Sequence, residues 1–117
     1  MKRDDDFLRG LLIGFEDSED YLIIDALVMG MSKEDTKRHY HIQLLSDAGF
    51  LIQTGNGTYR MTNQGHDFLA SIRDEGIWAQ TKEVVAETGG HVALELVKSV
   101  SYGFLKKKIE KHAGIEL

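Results

Sequence analysis

The sequence contains no cysteine and no proline. Without thiols there is neither a disulfide framework nor a thiolate metal site, so stability rests on packing alone. Without proline, turn punctuation falls to the twelve glycines. No apolar run approaches the ~20 residues that span a bilayer. The opening MKRDDDFLRG also puts three carboxylates where a signal peptide needs an apolar core. These absences predict a cytoplasmic protein with no membrane partner. No internal repeat or low-complexity tract is present.

What is present is an ordinary globular composition with an acidic bias: 117 residues, 42% hydrophobic, 28% charged, net charge −5. The charge is uneven. Residues 1–35 hold ten Asp or Glu against four Lys or Arg, residues 36–90 six against five, and residues 91–117 three against five. Non-specific attraction to phosphate sums over basic contacts, so an acidic front weakens it. A local basic face stays compatible with that balance.

Phe7, Leu8, Leu11, Leu12 and Phe15 recur at helical spacing behind Asp4, Asp5 and Asp6, which suit the positive end of a helix dipole. Gly10 and Gly14 lie four apart on this helix and either admit a close neighbour or weaken its last turn. Glu16 to Asp20 reads as a loop. Tyr21 to Val28 is rich in β-branched and aromatic residues and predicts a short buried strand ending at Gly30, a short helix being the alternative. Ser32 with Asp35 resembles a capping box, so a second helix starts near Lys33, turns Ile42, Leu45 and Ala48 inward and stops at Gly49. Asn56 and Gly57 suggest a type I′ turn. That turn pairs Ile52 with Met61 and Gln53 with Arg60, and places Ile52, Tyr59 and Met61 on the core face.

Thr62 is placed to cap a third helix with Phe68, Leu69 and Ile72 inward, interrupted at Gly76. Ile77, Trp78, Val84 and Val85 suggest a further helix stopped by Gly89 and Gly90. A last helix from about His91 to His112 carries Ala93, Leu96, Val97, Val100, Phe104, Leu105 and Ile109 on its apolar side, and ends in lysines that suit the negative end of its dipole. The fold class expected is mostly helical α+β. It comprises a winged helix-turn-helix-like core over residues 1–88, a wing hairpin at 50–62 and a C-terminal amphipathic helix at 91–113, together one domain of 117 residues.

No nucleophile with a base, and no carboxylate pair, can be assembled by spacing. His39 and His41 are two apart on a helix and point in different directions, so they cannot share a metal. His66 beside Asp67 reads more simply as a histidine bonded to backbone or carboxylate. His91 and His112 fall near the two ends of the last helix. Gly55, Gly57, Gly89 and Gly90 lack the lysine and hydroxyl of a phosphate loop. The expectation is therefore a non-enzymatic protein without metal or cofactor. Lys33, Lys37, Arg38, His39, Tyr40 and Gln43 on the second helix, with Arg60 on the wing, are donors that suit phosphates or base edges of duplex DNA. Lys106, Lys107, Lys108 and Lys111 form a second, partner-binding patch, and the width of the last apolar stripe points to a homodimer.

The run RHYHIQLLSDAGFL, Arg38 to Leu51, resembles the recognition helix of bacterial winged-helix repressors of the metalloregulator type. Arg38 stands where those proteins place a core aliphatic, and their metal-binding cysteines are absent. A broader resemblance covers MKRD, YHIQLLSDAGFLI, MTNQGHDFLASIRDEGIWAQTK and the Gly-Gly pair before the last helix. Together these resemble a domain-of-unknown-function family of small bacterial, phage and prophage proteins. Its most specific part is Gly65, His66, Asp67, Phe68 and Leu69, then Arg73, Asp74 and Trp78. Asn63 and Ala70 depart from it, standing where an aromatic and an acid are common. The resemblance implies a winged-helix-like fold and a mobile-element setting, with no established reaction. Two functions are expected in that setting: a DNA-binding or regulatory protein, or a protein-binding module such as a phage inhibitor of a host defence or regulatory complex.

Overall fold

The structure is a computed structural model that describes residues 1–25, 28–90 and 92–117. It is mostly helical α+β, as the sequence predicts, and its described residues form five helices and one three-stranded antiparallel sheet. The chain divides into two units, Met1–Asp67 and Phe68–Leu117, the division falling inside a helix.

In the first unit, α1 (Asp5–Asp17) begins where the Asp4 carboxylate accepts the Phe7 amide at 3.0 Å. Leu8 and Leu12, four apart, are its fully buried residues. An added Cβ at Gly10 or Gly14 meets nothing within 4 Å, so neither glycine serves a close approach. α1 takes in Glu16 and Asp17, which shortens the expected loop. Strand β1 is only Leu22–Ile24, with Ile23 inward and its neighbours outward. The expected strand to Val28 ends early, and its Ala26 and Leu27 lie outside the described residues.

Helix α2 (Lys33–Asp47) is capped as expected, Ser32 Oγ accepting the Asp35 amide at 3.0 Å. It closes in a Schellman turn: Gly49 has φ +82°, its amide reaches Ser46 O, and the Phe50 amide reaches Leu45 O at 2.9 Å. This turn corrects one expectation. Ala48 is the exposed C-cap, and Phe50, 2% exposed, takes the core position instead.

Strands β2 (Leu51–Gly55) and β3 (Thr58–Met61) form the hairpin, and β1 pairs with the other side of β3, giving the order β1-β3-β2. The expected register is off by one residue. Gly55 does face Thr58, but Gln53 faces Tyr59, so Thr54 is an extra, bulged residue. Leu51 therefore pairs with Met61 on the core face, while Ile52 pairs with Arg60 on the outer face. Nor is the turn type I′, because only Gly57 has positive φ and Asn56 does not.

Helix α3 (Asn63–Ile72) starts in this unit. Thr62 Oγ1 accepts the Gly65 amide at 3.0 Å and donates to Gly49 O at 2.6 Å, while the Thr62 amide donates to Phe50 O at 3.0 Å. One residue thus ties the end of α2 to the start of α3.

In the second unit, Phe68, Leu69 and Ile72 are buried as expected. Helix α4 (Glu75–Glu87) is capped by Asp74, whose Oδ1 accepts the Ile77 amide at 2.9 Å. Gly76 is therefore the second residue of a new helix rather than an interruption of the old one. Gly89 and Gly90, at φ +101° and +85°, follow its end. Helix α5 runs Leu94–Ala113; the expected start at His91 lies outside the described residues, and Ala93 is its exposed N-cap. Its fully buried residues are Val97 and Ser101, so the apolar stripe is narrower than expected, with Leu96 and Ile109 exposed. Ser101 replaces an aliphatic contact with a hydroxyl contact to Ser71 Oγ of α3 at 2.8 Å.

Candidate interaction surfaces

Helix α2 carries most of the expected DNA contacts, yet much of its donor set faces its own unit. Lys37 Nζ donates to Asp4 Oδ2 at 2.8 Å and sits 4.6 Å from the centre of the Phe7 ring. The lysine hydrogen bond, followed by the Phe7 amide, holds the Asp4 carboxyl below the usual carboxylate range. Arg38 Nη1 lies 3.6 Å from Asp25 Oδ1 and donates to Ile24 O at 3.3 Å. His39 Nδ1 donates to the other Asp25 oxygen at 2.7 Å, and that carboxylate is only 4% exposed. Gln43 Nε2 donates to Tyr59 Oη at 2.9 Å. Four of the seven expected DNA ligands are thus engaged within the unit.

Lys33 and Tyr40 lie exposed on α2, and Arg60 lies exposed on β3 with its guanidinium on the neighbouring Met61 carbonyl. Neither Lys33 nor Arg60 pairs with an acid among the described residues. The first unit holds seven Lys or Arg against twelve Asp or Glu, and the second seven against seven. The whole net charge of −5 therefore belongs to the unit expected to meet DNA.

Sequence reasoning misses His41 as a core residue, although it lies four before Leu45 on the inward stripe. It is fully buried, with Nδ1 donating to Lys37 O at 2.7 Å and Nε2 accepting the Asp4 amide at 2.9 Å. An amide can only donate, so this arrangement requires the neutral ring with its proton on Nδ1. The outer sheet face is hidden from the sequence as well, because the bulge shifts the alternation of β2 by one residue. Leu22, Arg60 and Ile52 lie in one cross-strand row, with Ile24 and Thr58 in the next. Leu22 is 37% exposed, Ile52 46% and Ile24 63%, and Val28 and Met29 beyond β1 are exposed too.

His66 Nδ1 bonds Glu16 Oε2 of α1 at 2.9 Å, the simple reading of that residue. Among the described residues no group of three or more His, Asp and Glu side chains could hold a metal ion, and no helix is long and apolar enough to cross a membrane. Gly65 accounts for part of the specific block. A Cβ there would fall 2.2 Å from the Phe50 carbonyl oxygen, so only glycine allows this approach. Trp78 is buried on α4, with Lys82 Nζ 5.7 Å from its ring centre.

In the second unit the four lysines of the expected patch separate into two kinds. Lys108 pairs with Asp74, and this bond, followed by the Ile77 amide, holds the Asp74 carboxyl below the usual range. Lys106, Lys107 and Lys111 are exposed and have no acid partner among the described residues. An open groove of about 510 Å³ runs between α4 and α5, lined by Asp74, Gly76, Ile77 and Gln80 on one side and Phe104, Lys107, Lys108 and Lys111 on the other.

A family model described as "Hypothetical protein (DUF2513)" matches residues 2–91. The chain belongs to this family. The match takes in all of the first unit but Met1, together with α4, and ends before α5. The chain is also similar to an uncharacterised protein of Haemophilus influenzae, 24% identical over 120 residues that span 93% of this chain and 99% of the relative. No solved structure matches.

Proposed function

We propose that this family member is a non-enzymatic interaction module on a winged-helix-like scaffold, and that its partner is a protein engaged through the outer face of the sheet. The scaffold reading is supported by the order helix, strand, helix, hairpin and by the strand order β1-β3-β2. The observation that carries the partner reading is the row Leu22, Arg60, Ile52 with Ile24 beside it: three aliphatic side chains exposed in register around one cation. A contiguous exposed apolar patch rimmed by polar groups marks an interaction site, and arginine is enriched at protein interfaces. The complementary partner surface is apolar with a carboxylate for Arg60. In the mobile-element setting implied by the resemblance, that partner is a host protein.

The DNA-binding, regulatory reading keeps one observation in its favour: Lys33, Tyr40 and Arg60 remain outward on the helix and hairpin. Set against it, Lys37 and Arg38 already have carboxylate partners, and phosphate contacts to them would have to displace Asp4 and Asp25. Two measurements separate the readings. Affinity capture with the intact chain should retain a protein that is lost on Ile24→Glu plus Ile52→Glu and kept on Lys37→Gln plus Arg38→Gln, circular dichroism showing that each variant is folded. Binding to random duplex at low salt, with a steep salt dependence and abolished by the folded Lys37→Gln plus Arg38→Gln variant, would overturn the protein reading.

A further inference from the structure

The groove of the second unit has a composition that its structural role does not explain. Phe104, Lys107, Lys108 and Lys111 stand at i, i+3, i+4 and i+7, so one face of α5 presents an aromatic ring at one end and three ammonium groups beyond it. Across the groove, α4 offers Ile77, the Gln80 amide and the side-chain-free Gly76. A favourable helix dipole explains why lysines gather at the end of α5, but not why Lys107 and Lys111 share a face. Like charges four apart repel on a helix. Lys108 is already balanced by Asp74, and Asp74 also caps α4, so neither charge is free for a ligand. Two positive charges remain over an apolar floor of Ile77 and Phe104.

We propose that this groove binds a phosphate monoester carried on an apolar or aromatic group, the phosphate lying between Lys107 and Lys111 and the organic part on Phe104 and Ile77. The charges decide for phosphate over carboxylate: a monoester carries about −1.5 to −2 at pH 7 and matches two lysines, whereas a carboxylate leaves one unbalanced. The floor decides for an ester over the free ion, because inorganic phosphate gains nothing from Phe104. Gln80 supplies a donor or acceptor for a polar substituent. This site shares no residue with the sheet face and does not depend on the reading of that face.

The test is an NMR titration of the isotope-labelled full chain with phenyl phosphate, inorganic phosphate and benzyl alcohol. Phenyl phosphate should shift the amides of Gln80, Phe104, Lys107 and Lys111 at a concentration several-fold lower than either fragment. Lys107→Glu plus Lys111→Glu should weaken it at least tenfold, and Lys107→Arg plus Lys111→Arg should retain it; both positions are exposed lysines, so the fold is kept. Adenosine monophosphate and vesicles containing phosphatidic acid serve as arms that distinguish a soluble nucleotide from a lipid headgroup, and binding of either through the same residues supports the site. Equal shifts from phenyl phosphate and inorganic phosphate, indifference to the charge reversal, or binding of neither natural ester would overturn it.

Discussion

The ring Nε2 of buried His41 accepts the backbone amide of Asp4, 37 residues earlier, at 2.9 Å. The same ring donates from Nδ1 to the Lys37 carbonyl and packs edge-on against Phe7 at 4.9 Å between centroids. The N-terminus of α1 is therefore fastened to α2 by a polar group inside an apolar contact. Replacing His41 with Ala leaves the Asp4 amide without its partner and opens a cavity. The expected cost is about 2–4 kcal/mol in chemical denaturation. Nitrogen chemical shifts of the imidazole should report the neutral tautomer protonated at Nδ1, and finding the proton on Nε2 would contradict the arrangement.

Two glycines that look alike in sequence should respond in opposite directions. Gly65→Ala forces a Cβ against the Phe50 carbonyl oxygen, at 2.2 Å before any relaxation, and breaks the tie made by Thr62. That substitution should cost about 2 kcal/mol or more, the range of an overpacked core site. Gly10→Ala lies in open space within α1 and should stabilise by roughly 0.5–1 kcal/mol. Thermal midpoints of the two variants check the pair.

The carboxyls of Asp4 and Asp74 both sit below their ordinary range, held by Lys37 and Lys108 respectively and by the helix amides they cap. A depressed folded value means that the folded state favours the charged form. Their contribution is complete above the unfolded carboxylate value and is lost as pH falls through the folded one, which places the loss below about pH 4. Lys37→Met and Lys108→Met should each flatten the fall of the denaturation midpoint over that acid range. Both carboxylates meet solvent, so the flattening should shrink further in high salt.

Asp25 is held differently, because its carboxylate is buried while its partners reach the surface. His39→Ala removes a short hydrogen bond to a buried charge and should cost about 1.5–3 kcal/mol. Arg38→Ala removes a longer, more exposed contact and should cost under about 1 kcal/mol. A double-mutant cycle between Asp25→Asn and His39→Ala should give a coupling of about 0.5–3 kcal/mol, and additivity would show that the bond contributes nothing.

The parts of this fold legible in the sequence are those written in local chemistry. Ser32, Gly49, Thr62 and the Gly89-Gly90 pair mark boundaries because capping and positive φ are decided within a few residues. Two things were not local. A single bulged residue at Thr54 reverses which side chains of β2 face inward, and no pattern in QTGNGT announces it. The partners of Lys37, Arg38 and His39 come from Asp4 and Asp25, brought in by tertiary structure, so a helix that reads as a donor array is largely satisfied by its own unit. The groove was half legible: its lysines stand out in KKKIEK, whereas Ile77 and Gln80 join them only through the packing of α4 on α5.

The register of the hairpin is open to direct test, because it exchanges the roles of two adjacent aliphatics. With Asn56-Gly57 as a simple two-residue turn, Ile52 would sit opposite Met61 in the core and Leu51 would face outward. With Thr54 bulged, Leu51 is 2% exposed opposite Met61, and Ile52 is 46% exposed opposite Arg60. Leu51→Ala should then cost about 2–5 kcal/mol, in the range of a fully buried leucine. Ile52→Ala should cost about 1 kcal/mol, since nearly half of its surface stays in water on folding. The reverse ranking would restore the unbulged register, remove Ile52 from the outer face and with it a third of the aliphatic row proposed to meet a partner.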